Sequence, residues 1–164
     1  EILRCLVGSE MCIRDREYIN TAIETAGAVP WEQLWHAVEY IDEVLFDIKT
    51  LEEADFKKIS REPLQLVLQN LSKLCEKGKQ VRIRCPIIPG FNYSAEFIKK
   101  VVNVALENGV KQIDLLPFHQ MGSYKYKSLN KPYAFKEEKA LERDAVIPYA
   151  EFIRANGIKC LIGG

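Results

Sequence analysis

A chain of 164 residues, 48% hydrophobic and 28% charged, has the composition of one soluble globular domain and the length to bury a core. Its 23 basic residues balance 23 acidic ones, which excludes a global field drawing it to nucleic acid or an anionic membrane. No apolar stretch reaches the roughly 20 residues of a membrane-spanning helix and no export signal is present, so the cytoplasm is the expected compartment.

Residues 1–16 do not match the rest. Arg4 to Arg16 follow neither a period of 2 nor of 3.6 and join the next segment without a cap or turn. Glu10-Met11-Cys12-Ile13-Arg14-Asp15 resembles a translated sequencing adapter, so 1–16 are expected to be non-native and 17–164 to be the genuine domain. The alternative is a short strand over Ile2 to Val7 followed by a loop.

From Tyr18 the order is regular. A strand is expected over Ile19 to Thr25, a turn at Gly27, and a helix opened by Pro30 through Tyr40, where Leu34, Val38 and Ile41 recur at helical spacing. Val44 to Ile48 reads as a strand and Leu51 to Ser60 as a polar connection with helical potential. Leu64 to Glu76 is an amphipathic helix stopped by Lys77 and Gly78. A third strand over Val81 to Ile88 turns at Pro89-Gly90, and Ser94 caps a helix running to Asn108. Gln112 to Phe118 is the fourth strand. Gln120 to Phe135 forms a long loop rich in Lys and Tyr, Lys136 to Asn156 is helical with an interruption near Pro148, and Ile158 to Ile162 is the last strand.

Strand and helix in alternation predict a parallel sheet in an α/β fold. Four or five strands are too few for a closed eight-fold barrel of about 250 residues. In such folds the C-terminal ends of the strands share one rim, where residues distant in sequence meet a ligand.

Several polar residues fall at that rim. Asp47 and Lys49 flank Ile48, so their side chains leave one face together, as a cradle for a zwitterion or as a plain ion pair. Glu24 and Thr25 end the preceding strand and would either supply oxygen ligands to a hard cation shared with Asp47 or cap the following turn. Arg84 sits within an apolar strand and needs an anionic ligand or a neighbouring carboxylate. His119 directly follows Pro117-Phe118 and reads as a ligand contact or a structural residue, whereas His36 belongs to a helix surface. Cys5, Cys12, Cys75, Cys85 and Cys160 show neither disulfide-scaffold nor zinc spacing. No Ser-His-Asp or Cys-His set, glycine-rich phosphate loop or paired-His helix is present, which argues against hydrolase chemistry. Tyr124-Lys125-Tyr126-Lys127, with Lys131, Tyr133 and Lys136, interleaves aromatics and cations, but on a neutral chain it reads as a solvated lid rather than a nucleic-acid surface.

Four segments taken together resemble the glycyl-radical-enzyme activating enzymes of the radical S-adenosylmethionine (SAM) superfamily. They are Glu24-Thr25-Ala26-Gly27-Ala28-Val29-Pro30-Trp31-Glu32, Leu45-Phe46-Asp47-Ile48-Lys49, Ile83-Arg84 through Ile88-Pro89-Gly90-Phe91-Asn92, and Leu115-Leu116-Pro117-Phe118-His119-Gln120-Met121-Gly122, in the family's order and spacing. The resemblance runs from about Tyr18 to Gly164. It implies an incomplete (β/α)6 partial TIM barrel, parallel strands with outer helices, whose first two strands are missing. It also implies SAM bound on a [4Fe-4S] cluster, a glycyl radical enzyme as protein substrate and a flavodoxin or ferredoxin-type reductant.

By the same resemblance, Glu24, Thr25 and Asp47, with the Leu45 carbonyl, surround a monovalent cation beside the SAM carboxylate. Lys49 pairs with that carboxylate, and Arg84 and His119 contact the ligand further along. The family's C-x3-C-x2-C cluster motif and its Gly-Gly-Glu segment occur nowhere in this sequence. The expectation is therefore the C-terminal portion of an activating enzyme, inactive by itself. Two other functions compete: a complete small α/β metabolite-binding enzyme without iron, and a non-enzymatic interaction module working through the Lys and Tyr loop.

Overall fold

The computed structural model describes residues 20–119 and 139–163. The atypical 1–16 segment, the alternative strand Ile2–Val7, Ile19 and the Lys- and Tyr-rich loop from Gln120 to Phe135 lie outside the described residues, as do 136–138.

The elements follow in the order β1 (Ala22–Thr25), α1 (Trp31–Val38), β2 (Glu43–Asp47), α2 (Glu53–Ile59), α3 (Leu64–Glu76), β3 (Gln80–Ile87), α4 (Ala95–Glu107), β4 (Gln112–Pro117), α5 (Ile147–Ala155) and β5 (Lys159–Ile162). All five strands form one sheet in chain order, and every neighbouring pair is parallel. Parallel neighbours joined by same-handed crossovers collect their helices on one face, the arrangement of a β/α barrel that has not closed.

Periodicity explains which side chains form the core. In β2 and β3 burial alternates strictly, and Val44, Phe46, Val81, Ile83, Cys85 and Ile87 point to the helices. In α3 the buried residues Leu64, Val67, Asn70, Leu71 and Leu74 recur every three or four positions, as do Phe97, Ile98, Val101, Val102 and Ala105 in α4. Apart from the polar Asn70, these residues, with Ile113, Leu115, Ala150 and Ile153, make one hydrophobic cluster between helices and sheet. The opposite face carries Glu24, Glu43, Asp47, Arg82, Arg84 and Asp114, an unusually charged surface for parallel strands.

Local signals place the element ends. The Ser94 hydroxyl accepts from the Phe97 N–H at 3.1 Å and starts α4. The expected helix from Lys136 to Asn156 is shorter at its beginning: residues 139–142 are not helical, Arg143–Val146 form a 3-10 turn, and α5 begins at Ile147. Pro148 is the reason. It lacks the amide that an interior helical residue donates, so it opens α5 instead of interrupting a longer helix.

Candidate functional site

The rim at the C-terminal ends of β1, β2 and β3 is built by register. Glu24 pairs with Leu45, and Asp47 pairs with Arg84, so carboxylates and guanidinium leave the same face on adjacent strands. Arg84 forms an ion pair with Glu24 across β2. Lys49 Nζ stands 3.6 Å from Asp47 Oδ2, while Ile48 between them is buried against the helices. Two anions and two cations thus share one small surface, which matches a zwitterionic ligand.

Asp47 carries the clearest sign of an absent partner. Its Oδ1 is buried with no hydrogen-bond partner among the described residues. A buried carboxylate oxygen left unpaired is costly and suits a cation as its missing neighbour. Burial pushes the Asp47 carboxyl above the usual carboxylate range and nearby Glu24 adds to this, while Lys49 and Arg84 pull in the opposite direction. A cation beside Oδ1 would keep the carboxylate ionised.

The other two expected site residues lie elsewhere. Thr25 faces the helix side of β1, and its hydroxyl accepts from the Gly27 N–H at 3.1 Å, closing the turn after the strand. His119 follows β4 and is exposed; with Phe118, Leu141, Arg143 and Ile162 it lines a cavity of about 360 Å³ at the β4–β5 end of the rim. The structure therefore brings Glu24, Asp47, Lys49 and Arg84 together, turns the Thr25 hydroxyl away from them, and places His119 just past the end of β4, the strand next to that of Arg84.

A second charged layer was missed by sequence reasoning. One step below the rim, Arg82 Nη2 meets Glu43 Oε1 at 2.8 Å and Nη1 meets Asp114 Oδ2 at 3.4 Å, while Gln112 donates to Asp114 Oδ1 at 2.8 Å. Asp114 is 1% exposed, so this network fills the sheet's inner face beneath the site. The signal was present: Arg82 precedes Arg84 by two positions and must leave the same face.

Iron ligation finds no support among the described residues. No group of three His, Cys, Asp or Glu is placed to hold a metal ion. Cys85 and Cys160 are buried on the helix side, away from the rim, and burial raises both thiols, Cys160 to about 11. No described helix is long and apolar enough to cross a membrane.

No family model matches the sequence. The Pyruvate formate-lyase 2-activating enzyme of Escherichia coli (strain K12) is 36% identical over 146 residues, covering 89% of the chain and 50% of the relative. The chain is a homologue of the glycyl-radical-enzyme activating enzymes. A second activating enzyme, that of 4-hydroxyphenylacetate decarboxylase from Clostridioides difficile (strain CD196), is 32% identical over 88% of the chain and 46% of its own length. The choline trimethylamine-lyase activating enzyme of Oleidesulfovibrio alaskensis is 36% identical over 75% of the chain and 41% of its own length. This activating-enzyme homologue spans about half the length of the curated relatives it matches.

Solved structures give the fold. A domain of pyruvate-formate lyase-activating enzyme from Bacteroides vulgatus superposes with a TM-score of 0.73 at 19% identity, covering 94% of the chain and 88% of that domain. Streptococcus suis SuiB bound to S-adenosylmethionine superposes with a TM-score of 0.65 at 15% identity, covering 94% of the chain and 34% of SuiB. The five-stranded parallel sheet of the homologue thus has the partial-barrel fold of these proteins.

Proposed function

We propose that residues 17–164 form the ligand-carboxylate side of a radical SAM activating enzyme, in which Asp47, Lys49, Glu24 and Arg84 hold the amino-acid end of SAM. The single observation that carries this reading is the orphaned Asp47 Oδ1 beside the Lys49 ammonium, on a face shared with Glu24 and Arg84. Lys49 would neutralise the ligand carboxylate, and Asp47 with Glu24 would hold a monovalent cation that supplies further positive charge beside it. Thr25 contributes through its backbone position, since its hydroxyl is engaged by Gly27. Arg84 and His119 contact the ligand further along the rim. His119 reaches its part from the β4 end.

In the whole protein a [4Fe-4S] cluster would supply the electron for reductive cleavage of SAM, with methionine released and a glycine of a partner enzyme as the proposed hydrogen donor. A flavodoxin or ferredoxin-type protein is the proposed electron source, and the cytoplasm the proposed compartment. The described residues do not fit the cluster, so its cysteines are proposed to lie outside 17–164, and the segment alone to be inactive. The residues here would bind and orient the ligand and neutralise its charge.

Calorimetric titration of the chain with SAM tests the reading. Binding is expected to need potassium or sodium and to weaken about tenfold in Lys49→Ala and in Asp47→Asn. Equal affinity in parent and both variants would refute it. Anaerobic reconstitution yielding about one cluster per chain would refute the proposed inactivity.

A further inference from the structure

Asn92 is 5% exposed and lies just beyond the Pro89-Gly90 turn that follows β3. Its carboxamide makes three bonds. Nδ2 donates to the Pro86 carbonyl at 2.6 Å and to the Lys49 carbonyl at 2.8 Å, and Oδ1 accepts from the Ile88 N–H at 2.7 Å. The orientation of the amide is forced, because two carbonyls require donors and one N–H requires an acceptor.

The positions of these bonds have a specific meaning. The β2–β3 ladder pairs Asp47 with Arg84, and the Ile48 N–H donates to the Arg84 carbonyl at 2.9 Å. Extended by two residues, the same parallel pattern would join the Pro86 carbonyl to the Thr50 N–H and the Ile88 N–H to the Thr50 carbonyl. Asn92 fills both places. Its carboxamide has the donor and acceptor layout of a peptide unit and stands in as the next rung of the ladder. Pro86, without an N–H, also removes the rung that the Ile48 carbonyl would have received. Strand β2 is thereby released from β3 just past Asp47, and the remaining Asn92 N–H fixes where it goes.

We infer that Asn92 is a positioning residue for Lys49: by substituting for the missing rung and holding the Lys49 carbonyl, it sets the point from which the lysine side chain reaches Asp47 and the ligand. This rests on the proposed role of Lys49 only for its consequence in ligand binding. The positioning itself is a property of the ligand-free chain. All three of its carboxamide bonds go to backbone atoms.

Reductive methylation of lysines on the folded chain, followed by digestion and peptide mass spectrometry, reads the positioning without any ligand. Lys49 should react about fivefold faster in Asn92→Ala, the effect of losing one hydrogen bond, while exposed Lys57 reacts at an unchanged rate. Asn92→Asp is the second variant: it keeps the acceptor for Ile88 but loses both donors, and should free Lys49 in the same way. A folded Asn92 variant in which Lys49 labels at the parental rate overturns the inference, whatever its melting temperature.

SAM affinity separates this inference from the reading on which it rests. Asn92→Ala and Lys49→Ala should each weaken binding about tenfold, and the double variant should lose little more, because one residue acts through the other. Additive losses would overturn the inference. Affinity indifferent to Lys49→Ala would overturn the ligand assignment instead, and the methylation rates would then decide the role of Asn92 alone.

Discussion

Arg84 on β3 reaches across the whole width of β2 to pair with Glu24 on β1. The Arg84 side chain is 15% exposed and that of Glu24 63%, so the pair joins a largely covered cation to an exposed anion. An arginine set into an apolar strand requires such an anion.

Because Glu24 is so exposed, Glu24→Gln should change unfolding free energy by less than about 1 kcal/mol. Its effect should appear in binding. SAM affinity measured in potassium against tetramethylammonium is expected to lose its preference for potassium in the variant, and a parental preference would remove Glu24 from the cation site.

Asp47→Asn should stabilise the fold at neutral pH. Burial raises the folded-state pKa above the ordinary 3.8, so the folded chain holds this proton more tightly than the unfolded one. The stabilising contribution is complete below pH 3.8 and is lost as pH rises through the folded value, because the ionised form is disfavoured where it sits. Denaturant unfolding across pH should therefore show a gain for Asp47→Asn above that range which vanishes below it. A variant less stable than the parent at pH 7 would contradict this.

Asp114→Ala tests the lower charged layer. Asp114 is 1% exposed and takes bonds from Arg82 and Gln112. Its removal leaves Arg82 with Glu43 alone and should cost about 3 kcal/mol, readable by chemical denaturation. Exchange of Lys57, which is 69% exposed, should cost well under about 0.5 kcal/mol by the same measurement.

Gly27→Ala should be far more damaging than Gly109→Ala. Both glycines have positive φ, 63° and 67°, and share a backbone penalty of about 1 kcal/mol. At Gly27, however, an added Cβ would lie 2.4 Å from Phe46 Cζ, a ring with no exposure in the core, whereas nothing stands within 4 Å at Gly109. An additional loss of about 2 kcal/mol is expected for Gly27→Ala. Thermal melts of the two variants side by side measure the difference.

Much of the fold was legible because it is local. Strict alternation around Val44 and Ile83 and three-to-four spacing through Leu64–Glu76 report which face is buried, and all five strands were found to within a few residues. The start of the last helix was misread because apolar period alone runs through Pro148, whereas the absent amide decides where the helix begins. Four of the expected rim residues share one face because they stand at strand ends two residues apart or in register.

By itself the sequence determined the parallel α/β architecture, the rim and the identity of its charges, since periodicity needs only near neighbours. Tertiary structure alone decided that Arg84 turns to Glu24, 60 residues away, that the Thr25 hydroxyl closes its own turn, and that Asn92 replaces a rung of the sheet beside Lys49, 43 residues distant. Those pairings follow from strand register, which is fixed by the cooperative packing of the whole sheet against its helices and leaves no trace in the local pattern of any one strand.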